Sequence, residues 1–182
     1  MSKSSVIPAL AIALVLIGCR AGPWVPPLPN KAPQVVHDDT PRRPQAQERI
    51  TDDGTWLYRL PMASGTLWVE VAATPDQRRK GLMGRESLPS DQGMLFLYAE
   101  PDWRSFWMKS TYIPLDLAYL RSDGTIIEIL ALEPDDGSVR HPSSEPAHYV
   151  LETNAGWFEQ HGVVAGQRVA LPEGVLKLAP RD

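Results

Sequence analysis

The chain has 182 residues, with 18 Lys and Arg against 22 Asp and Glu and a net charge of −4 at pH 7. This length suits one domain of common size with additional segments. The acidic balance, without a basic stripe, argues against a nucleic-acid partner. Composition divides the chain into an apolar start (residues 1–19), a Pro-rich segment (residues 20–53) and a region that reads as one folded domain (residues 54–182).

The apolar start is typical of an exported protein. Lys3 gives a short positive region, and Val6–Ile17 is an apolar run of twelve residues, shorter than the roughly 20 that span a bilayer as a helix. It has the length of a signal-peptide core. The run ends in "LIGC", Leu16–Cys19, which resembles a bacterial lipoprotein lipobox.

The lipobox resemblance implies that residues 1–18 are removed and that Cys19 is acylated on its sulfur and its new amine. An ordinary secretory signal with an incidental cysteine remains the alternative. Because Cys19 is the only cysteine, acylation leaves no thiol for a disulfide, a nucleophile or a metal. The predicted partner is then the lipid bilayer, and Arg20 in place of Asp resembles an outer-membrane address facing the periplasm.

The segment from Arg20 to Asp53 contains seven of the eighteen prolines. Proline fixes φ and removes a hydrogen-bond donor, so the segment favours extended conformations over a packed core. The sequence therefore predicts a disordered tether over residues 19–53. A Pro-rich motif around Pro26–Pro29 that binds a partner is the alternative.

The remaining residues read mostly as strands, with alternating or continuous apolar runs rich in β-formers. The predicted strands are Thr55–Leu60, Thr66–Ala72, "GMLFLY", "DLAYL", "TIIEIL", "HYVLET" and "QRVAL". The turn "RSDG", Arg121–Gly124, predicts a hairpin between "DLAYL" and "TIIEIL".

Two short helices are predicted between the strands. Thr74, Pro75 and Gln77 form a capping-box start with Pro at the first helical position, and Gly84 is the predicted stop. The second helix follows Asn154 and ends at Gly162. Many short strands with two brief helices predict a mainly β fold, a compact β-sandwich or jelly-roll-like domain.

Six short motifs follow one another in a specific order. They are "GLMGR" (Gly81–Arg85), "GMLF" (Gly93–Phe96), "FWMKST" (Phe106–Thr111), "IPLD" (Ile113–Asp116), "YVLE" (Tyr149–Glu152) and "NAG" (Asn154–Gly156). From about Val69 to Leu171 the chain resembles the domain-of-unknown-function 192 family. The resemblance implies a compact, jelly-roll-like β fold and no established reaction. Members often carry Asn where this chain has Ser110, and the cysteines that some members have before "YVLE" are absent.

Charged side chains stand inside these apolar motifs, at Arg85, Lys109, Asp116 and Glu152. Charges are almost never buried unpaired, so one interpretation is a set of ion pairs that orient the "GLMGR" and "IPLD" segments. The other places some of them in a cleft, with Arg85 and Lys109 facing an anionic or polyhydroxyl ligand. An acid/base pair of Asp116 and Glu152 would need carboxylates roughly 5–10 Å apart.

Aromatic side chains complete the candidate site. Phe106 and Trp107 are adjacent, so on a strand they would point to opposite faces, one into the core and the other into a cleft or solvent. Trp107 therefore joins Arg85, Lys109, Asp116 and Glu152 as a predicted ligand-binding residue.

The leading interpretation is a non-enzymatic module that binds a saccharide or another polar small molecule of the cell envelope. No catalytic residue, cofactor or metal site is predicted, because Met83, Met94 and Met108 are better explained as core fillers and the His residues lack the spacing of a zinc site. The alternatives are a hydrolase or transferase that uses Asp116 and Glu152, and a protein-interaction scaffold.

Overall fold

The computed structural model describes residues 48–62 and 64–180. The predicted signal peptide, Cys19 and the Pro-rich segment up to residue 47 lie outside these residues. The described part is mainly β, as predicted, with a seven-stranded sheet, a two-stranded sheet and three short helices. Among the described residues, no helix has the length and apolar character needed to cross a membrane.

The strands and helices follow one another through the whole described region. The strands are β1 (Glu48–Ile50), β2 (Trp56–Met62), β3 (Gly65–Ala72), β4 (Gln92–Asp102), β5 (Ser105–Phe106), β6 (Leu115–Leu120), β7 (Ile126–Leu132), β8 (His141–Pro142) and β9 (Ala147–Asn154). The helices are α1 (Pro75–Lys80), α2 (Trp157–Gln160) and α3 (Glu173–Leu176).

The main sheet has the strand order β1-β2-β3-β4-β9-β6-β7. All its pairs are antiparallel except β3 and β4, which are parallel. Parallel neighbours require a crossover connection, and α1 with the loop after it provides that connection. The last strand in the sequence, β9, lies between β4 and β6 and is therefore an interior strand of the sheet.

Both faces of the sheet are buried. On the first face, α2 and α3 pack their apolar side chains, including Trp157, Phe158 and Val175, on the sheet. On the second face, residues from the α1–β4 connection and from the segment before β6, including Leu82 and Met108, form a separate cluster. The small sheet joins this second face, where Phe106 of β5 contacts Phe96 edge-on with ring centroids 5.0 Å apart. This layering is sandwich-like, as predicted.

Most predicted elements are confirmed within a few residues, including the hairpin of β6 and β7 and the capping box of α1, in which Thr74 accepts from Gln77 N–H. The predicted strand "QRVAL" is wrong. It makes only an isolated bridge, from Arg168 to Thr125, before the chain reaches Pro172, which has no N–H to continue a ladder.

The predicted boundary between tether and domain is also too late. β1 lies inside the predicted tether and pairs with β2, with Glu48 opposite Tyr58. The Arg49 guanidinium carbon lies 4.5 Å from the centroid of the Trp68 ring, and Arg49 Nη2 is 3.2 Å from Asp91 Oδ2. These contacts place the start of the domain at or before Glu48. The third helix, α3, and the pairing of β5 with β8 were not predicted.

Candidate functional site

Glu152 lies near the C-terminal end of β9, an interior strand of the sheet. Its neighbours across the sheet are Met94 on β4 and Leu117 on β6, and both belong to the apolar cluster of the second face. Because paired residues point to the same side of a sheet, the Glu152 side chain lies on this apolar face, and only 5% of the residue is exposed.

The Glu152 carboxyl has no cation within ion-pair distance and no hydrogen-bond donor among the described residues. Burial raises its pKa to about 8, because the charged form loses its hydration without gaining a partner. At neutral pH the group is therefore mostly a protonated carboxyl, which can both donate and accept a hydrogen bond. The carboxyl is not sealed from solvent, because in the described part of the chain the one fully enclosed side-chain nitrogen or oxygen without a partner is His141 Nε2. The Glu152 oxygens therefore keep contact with the cleft, and a mostly buried carboxyl without a protein partner calls for an explanation.

A small cleft lies above this carboxyl. Its walls come from the C-terminal end of α1 with the following "GLMGR" loop and from the "FWMKST" segment, where Phe106, Trp107 and Thr111 line it together with Glu152. The cavity volume is about 30 Å³, more than the roughly 10–15 Å³ that one buried water needs and far less than a whole sugar would fill. The cleft therefore accepts one small polar group, such as a hydroxyl, from a larger molecule.

A backbone hydrogen bond joins the two walls of the cleft. Gly84 N–H donates to the Ser110 carbonyl at 2.8 Å. Ser110 has a φ of 54°, the one left-handed non-glycine residue of the described region, and this conformation turns the chain between Lys109 and Thr111. Asn adopts left-handed φ more readily than Ser, which gives a physical reason for the Asn that the resemblance leads one to expect here.

Trp107 lies at the cleft with two cations near its ring. The Arg140 guanidinium carbon is 3.9 Å from the ring centroid, and Lys109 Nζ is 5.6 Å from it. Lys109 is exposed and makes no ion pair within the described residues. The loop before β8 approaches closely here, because a Cβ added to Gly137 would lie 2.4 Å from Lys109 Cβ. Trp107 and Glu152 thus line one cleft, and Lys109 lies beside the Trp107 ring; their role as ligand-binding residues stays a prediction.

Arg85 lies on the other side of the "GLMGR" loop, in a separate groove of about 450 Å³. Its Nη2 is 2.5 Å from Glu70 Oε1, and the two side chains are 32% and 14% exposed. The groove shares Lys80 and Gly81 with the cleft. Arg85 is therefore held in an ion pair, as one of the two interpretations expected, but its partner Glu70 was not predicted. Arg85 does not line the Glu152 cleft.

Asp116 is turned to the opposite face of the sheet. It pairs with Thr153, while Leu117 pairs with Glu152, so the two carboxyls alternate in direction. Asp116 Oδ2 accepts a hydrogen bond of 3.4 Å from the backbone N–H of Phe158 in α2. The structure therefore does not bring Asp116 and Glu152 together as an acid/base pair, and Asp116 instead ties α2 to the sheet.

Comparison with known families decides the classification. The sequence profile of the family DUF192, described as an uncharacterised ACR, matches residues 59–171. The chain belongs to the DUF192 family. The match includes β3 to β9 and both walls of the cleft, and it confirms the resemblance noted in the six sequence motifs. No curated protein sequence matches the chain.

Two solved structures resemble this DUF192 protein. One, from Sinorhizobium meliloti, is provisionally described as a transcription regulator; it is 44% identical, with a TM-score of 0.56 over 62% of this chain and 89% of its own. The other, a protein of unknown function from Novosphingobium aromaticivorans, is 30% identical, with a TM-score of 0.61 over 69% of this chain and 94% of its own.

Sequence reasoning missed part of the DUF192 cleft. Arg140, which lies on the Trp107 ring, and the basic end of α1, which lines the cleft, were not among the predicted site residues. The run "RRK" at Arg78–Lys80 was a visible signal. Arg140 and Trp107 are more than thirty residues apart in the sequence, so no local sequence pattern predicts their contact.

Proposed function

We propose that this DUF192 protein is an exported, lipid-anchored binding module whose cleft over Glu152 holds a polar ligand, a saccharide or another hydroxylated small molecule of the cell envelope. The single observation that carries the proposal is the buried Glu152 carboxyl, which has no partner among the described residues and opens into a cavity. Leaving such a group unpaired costs about 1–3 kcal/mol, and a ligand hydroxyl would supply the missing hydrogen bond.

The surroundings of Glu152 support a hydroxylated ligand. The cleft lining also includes the hydroxyl residue Thr111, the aromatic residues Phe106 and Trp107, and the basic end of α1. Binding sites commonly combine apolar and aromatic walls with a few polar groups that fix orientation. Because the cavity admits only one small group, most of the ligand would lie outside it, against Trp107.

Binding is tested by calorimetry of the purified protein with glucose, N-acetylglucosamine, glucuronate and glucose 6-phosphate. Glu152→Met removes both polar oxygens at similar length, and Glu159→Met is the matched control, since Glu159 is exposed on α2. We expect binding of at least one sugar that weakens at least about tenfold in Glu152→Met and stays unchanged in Glu159→Met. Absence of binding by all four sugars, or equal binding by Glu152→Met, would overturn the proposal.

The proposed location rests on the "LIGC" lipobox at Leu16–Cys19. Acylation of Cys19 would attach the domain to a bilayer, with about 0.8 kcal/mol for each buried CH₂. Metabolic labelling with a palmitate analogue tests this directly. We expect label on the wild-type protein and none on Cys19→Ser, and label retained by Cys19→Ser would contradict the lipid anchor.

A second candidate is acid/base catalysis by Glu152 alone. A carboxyl whose pKa is raised toward neutrality is what a general acid requires, although the predicted partner Asp116 faces away. Release of nitrophenol from nitrophenyl glycosides, lost in Glu152→Met and retained in Glu159→Met, would favour a hydrolase over a binding module.

The description of the Sinorhizobium protein as a transcription regulator raises a third candidate, DNA binding. Residues 54–182 contain 12 Lys and Arg against 17 Asp and Glu, whereas DNA-binding domains usually present a basic face. The charge balance and the exported start of the chain favour the envelope ligand.

A further inference from the structure

Basic side chains lie in the wall of the Glu152 cleft and beside its Trp107 ring, in an otherwise acidic domain. Lys80, the last residue of α1, lines one side of the cleft, and Lys109 and Arg140 lie against the Trp107 ring on the other side. None of these three forms an ion pair with a carboxylate in the part of the chain that the structure describes.

The other basic residues near the cleft are already engaged. Arg79 Nη1 lies 2.6 Å from Asp76 Oδ1, and Arg78 Nη1 donates to the backbone carbonyls of Ala73 and Leu97. Within the described residues, the basic side chains near the cleft that make no ion pair or carbonyl hydrogen bond are therefore Lys80, Lys109 and Arg140. Unpaired cations that lie near one another repel, and a bound anion would relieve that repulsion.

The two cations beside Trp107 lie outside the cavity, where most of a ligand would have to be. Only one small polar group enters the volume of about 30 Å³ above Glu152, so the rest of the ligand must lie at the opening, within reach of Trp107 and its two cations. A charged group there would be only partly desolvated, which makes its attraction to Lys and Arg favourable without a large desolvation cost.

We infer that the ligand of the Glu152 cleft is an anionic sugar, with one hydroxyl hydrogen-bonded to Glu152 and its carboxylate or phosphate facing Lys109 and Arg140. This inference rests on the proposed function and specifies the class of ligand. A protonated Glu152 is compatible with an anion, and an ionised Glu152 would repel it.

The test compares glucuronate and glucose 6-phosphate with glucose, by calorimetry at about 50 mM and about 500 mM salt. The variants are Lys109→Met, Arg140→Met and their combination. The control is Lys177→Met, because Lys177 is paired with Glu173 on α3, which packs on the opposite face of the sheet. Denaturant unfolding of each variant checks that the fold is kept.

We expect both anionic sugars, or the one whose anion fits, to bind at least about tenfold more tightly than glucose at low salt. High salt and the double variant should remove this preference and leave glucose binding unchanged, and Lys177→Met should bind as the wild type does. Equal binding of glucose and the anionic sugars would overturn the inference and leave the proposed function standing. Failure of every sugar to bind would overturn both.

Discussion

Glu152 lies directly opposite Leu117 in the antiparallel pairing of β9 with β6, so a carboxyl and a fully buried leucine share one apolar face. On the other neighbouring strand the partner is Met94, which is also buried. A carboxyl between these two side chains is exposed to polar surroundings only through the cleft above it. This arrangement links the stability of the sheet to the chemistry of the cleft.

Replacement of Glu152 should stabilise the protein. Since the carboxyl has no partner among the described residues, Glu152→Met should raise the free energy of unfolding by about 1–3 kcal/mol at about pH 8.5. Denaturant unfolding measures this, with the exposed Glu159→Met as control. A loss of stability in Glu152→Met would show that the carboxyl has a stabilising partner, and the binding proposal would lose its main support.

The same residue should make stability depend on pH. The folded pKa of about 8 lies above the ordinary value of 4.5, so the folded state holds the proton more tightly than the unfolded state. The stabilisation from this proton is complete below about pH 4.5 and is lost as pH rises through about 8, at no more than about 1.4 kcal/mol per pH unit. Unfolding at several pH values should show a decline across this window that is shallower in Glu152→Met. Identical slopes would contradict it.

Arg85→Met should destabilise the protein, because it leaves Glu70 without its partner in a half-buried ion pair. The expected loss is about 1–2 kcal/mol. Lys109→Met should cost less, because Lys109 is exposed. The double variant Arg85→Met/Glu70→Gln should recover part of the loss. Full additivity of the two single changes would show that the pair contributes nothing.

Ser110→Asn should raise stability by about 0.5–1 kcal/mol, because Asn tolerates the left-handed φ of 54° better than Ser. Ser105→Asn is the matched control, since Ser105 lies in the extended strand β5 and should gain nothing. Thermal unfolding of both variants tests this. An equal gain in both would mean that backbone conformation at Ser110 is not the cause.

Gly137→Ala should destabilise the protein more than Gly166→Ala. Both glycines have a left-handed φ, 81° and 86°, but a Cβ at Gly137 would meet Lys109 Cβ at 2.4 Å, whereas Gly166 has nothing within 4 Å. The difference therefore reports the packing of the loop before β8 against the "FWMKST" segment. Equal losses in denaturant unfolding would contradict this packing.

The sequence predicted most of the sheet because its signals are local. The apolar runs that became β4, β6 and β9 and the capping box at Thr74 each depend on neighbouring residues. Of the five residues that the motifs suggested as a ligand site, Trp107 and Glu152 line the cleft and Lys109 lies beside Trp107, whereas Arg85 and Asp116 lie elsewhere. Local patterns suffice to predict strands and helices because their hydrophobic periodicity repeats within a few residues.

What the sequence could not show depends on pairing between distant strands. The face to which Asp116 points follows from its register with Thr153, and the ion pair of Arg85 follows from the position of Glu70 on β3. A slip of one residue in register reverses every side chain of a strand. For this reason the acid/base pair and the location of Arg85 remained open until the fold was known.

The most direct test of the central claim is a titration of the Glu152 side-chain carboxyl carbon, followed by ¹³C NMR in the purified protein and assigned by its absence in Glu152→Gln. A buried carboxyl that opens only into a small cleft and has no partner among the described residues should titrate with a midpoint near pH 8. A midpoint near the ordinary value of 4.5 would mean that the group is hydrated or paired, and it would contradict the account of the cleft.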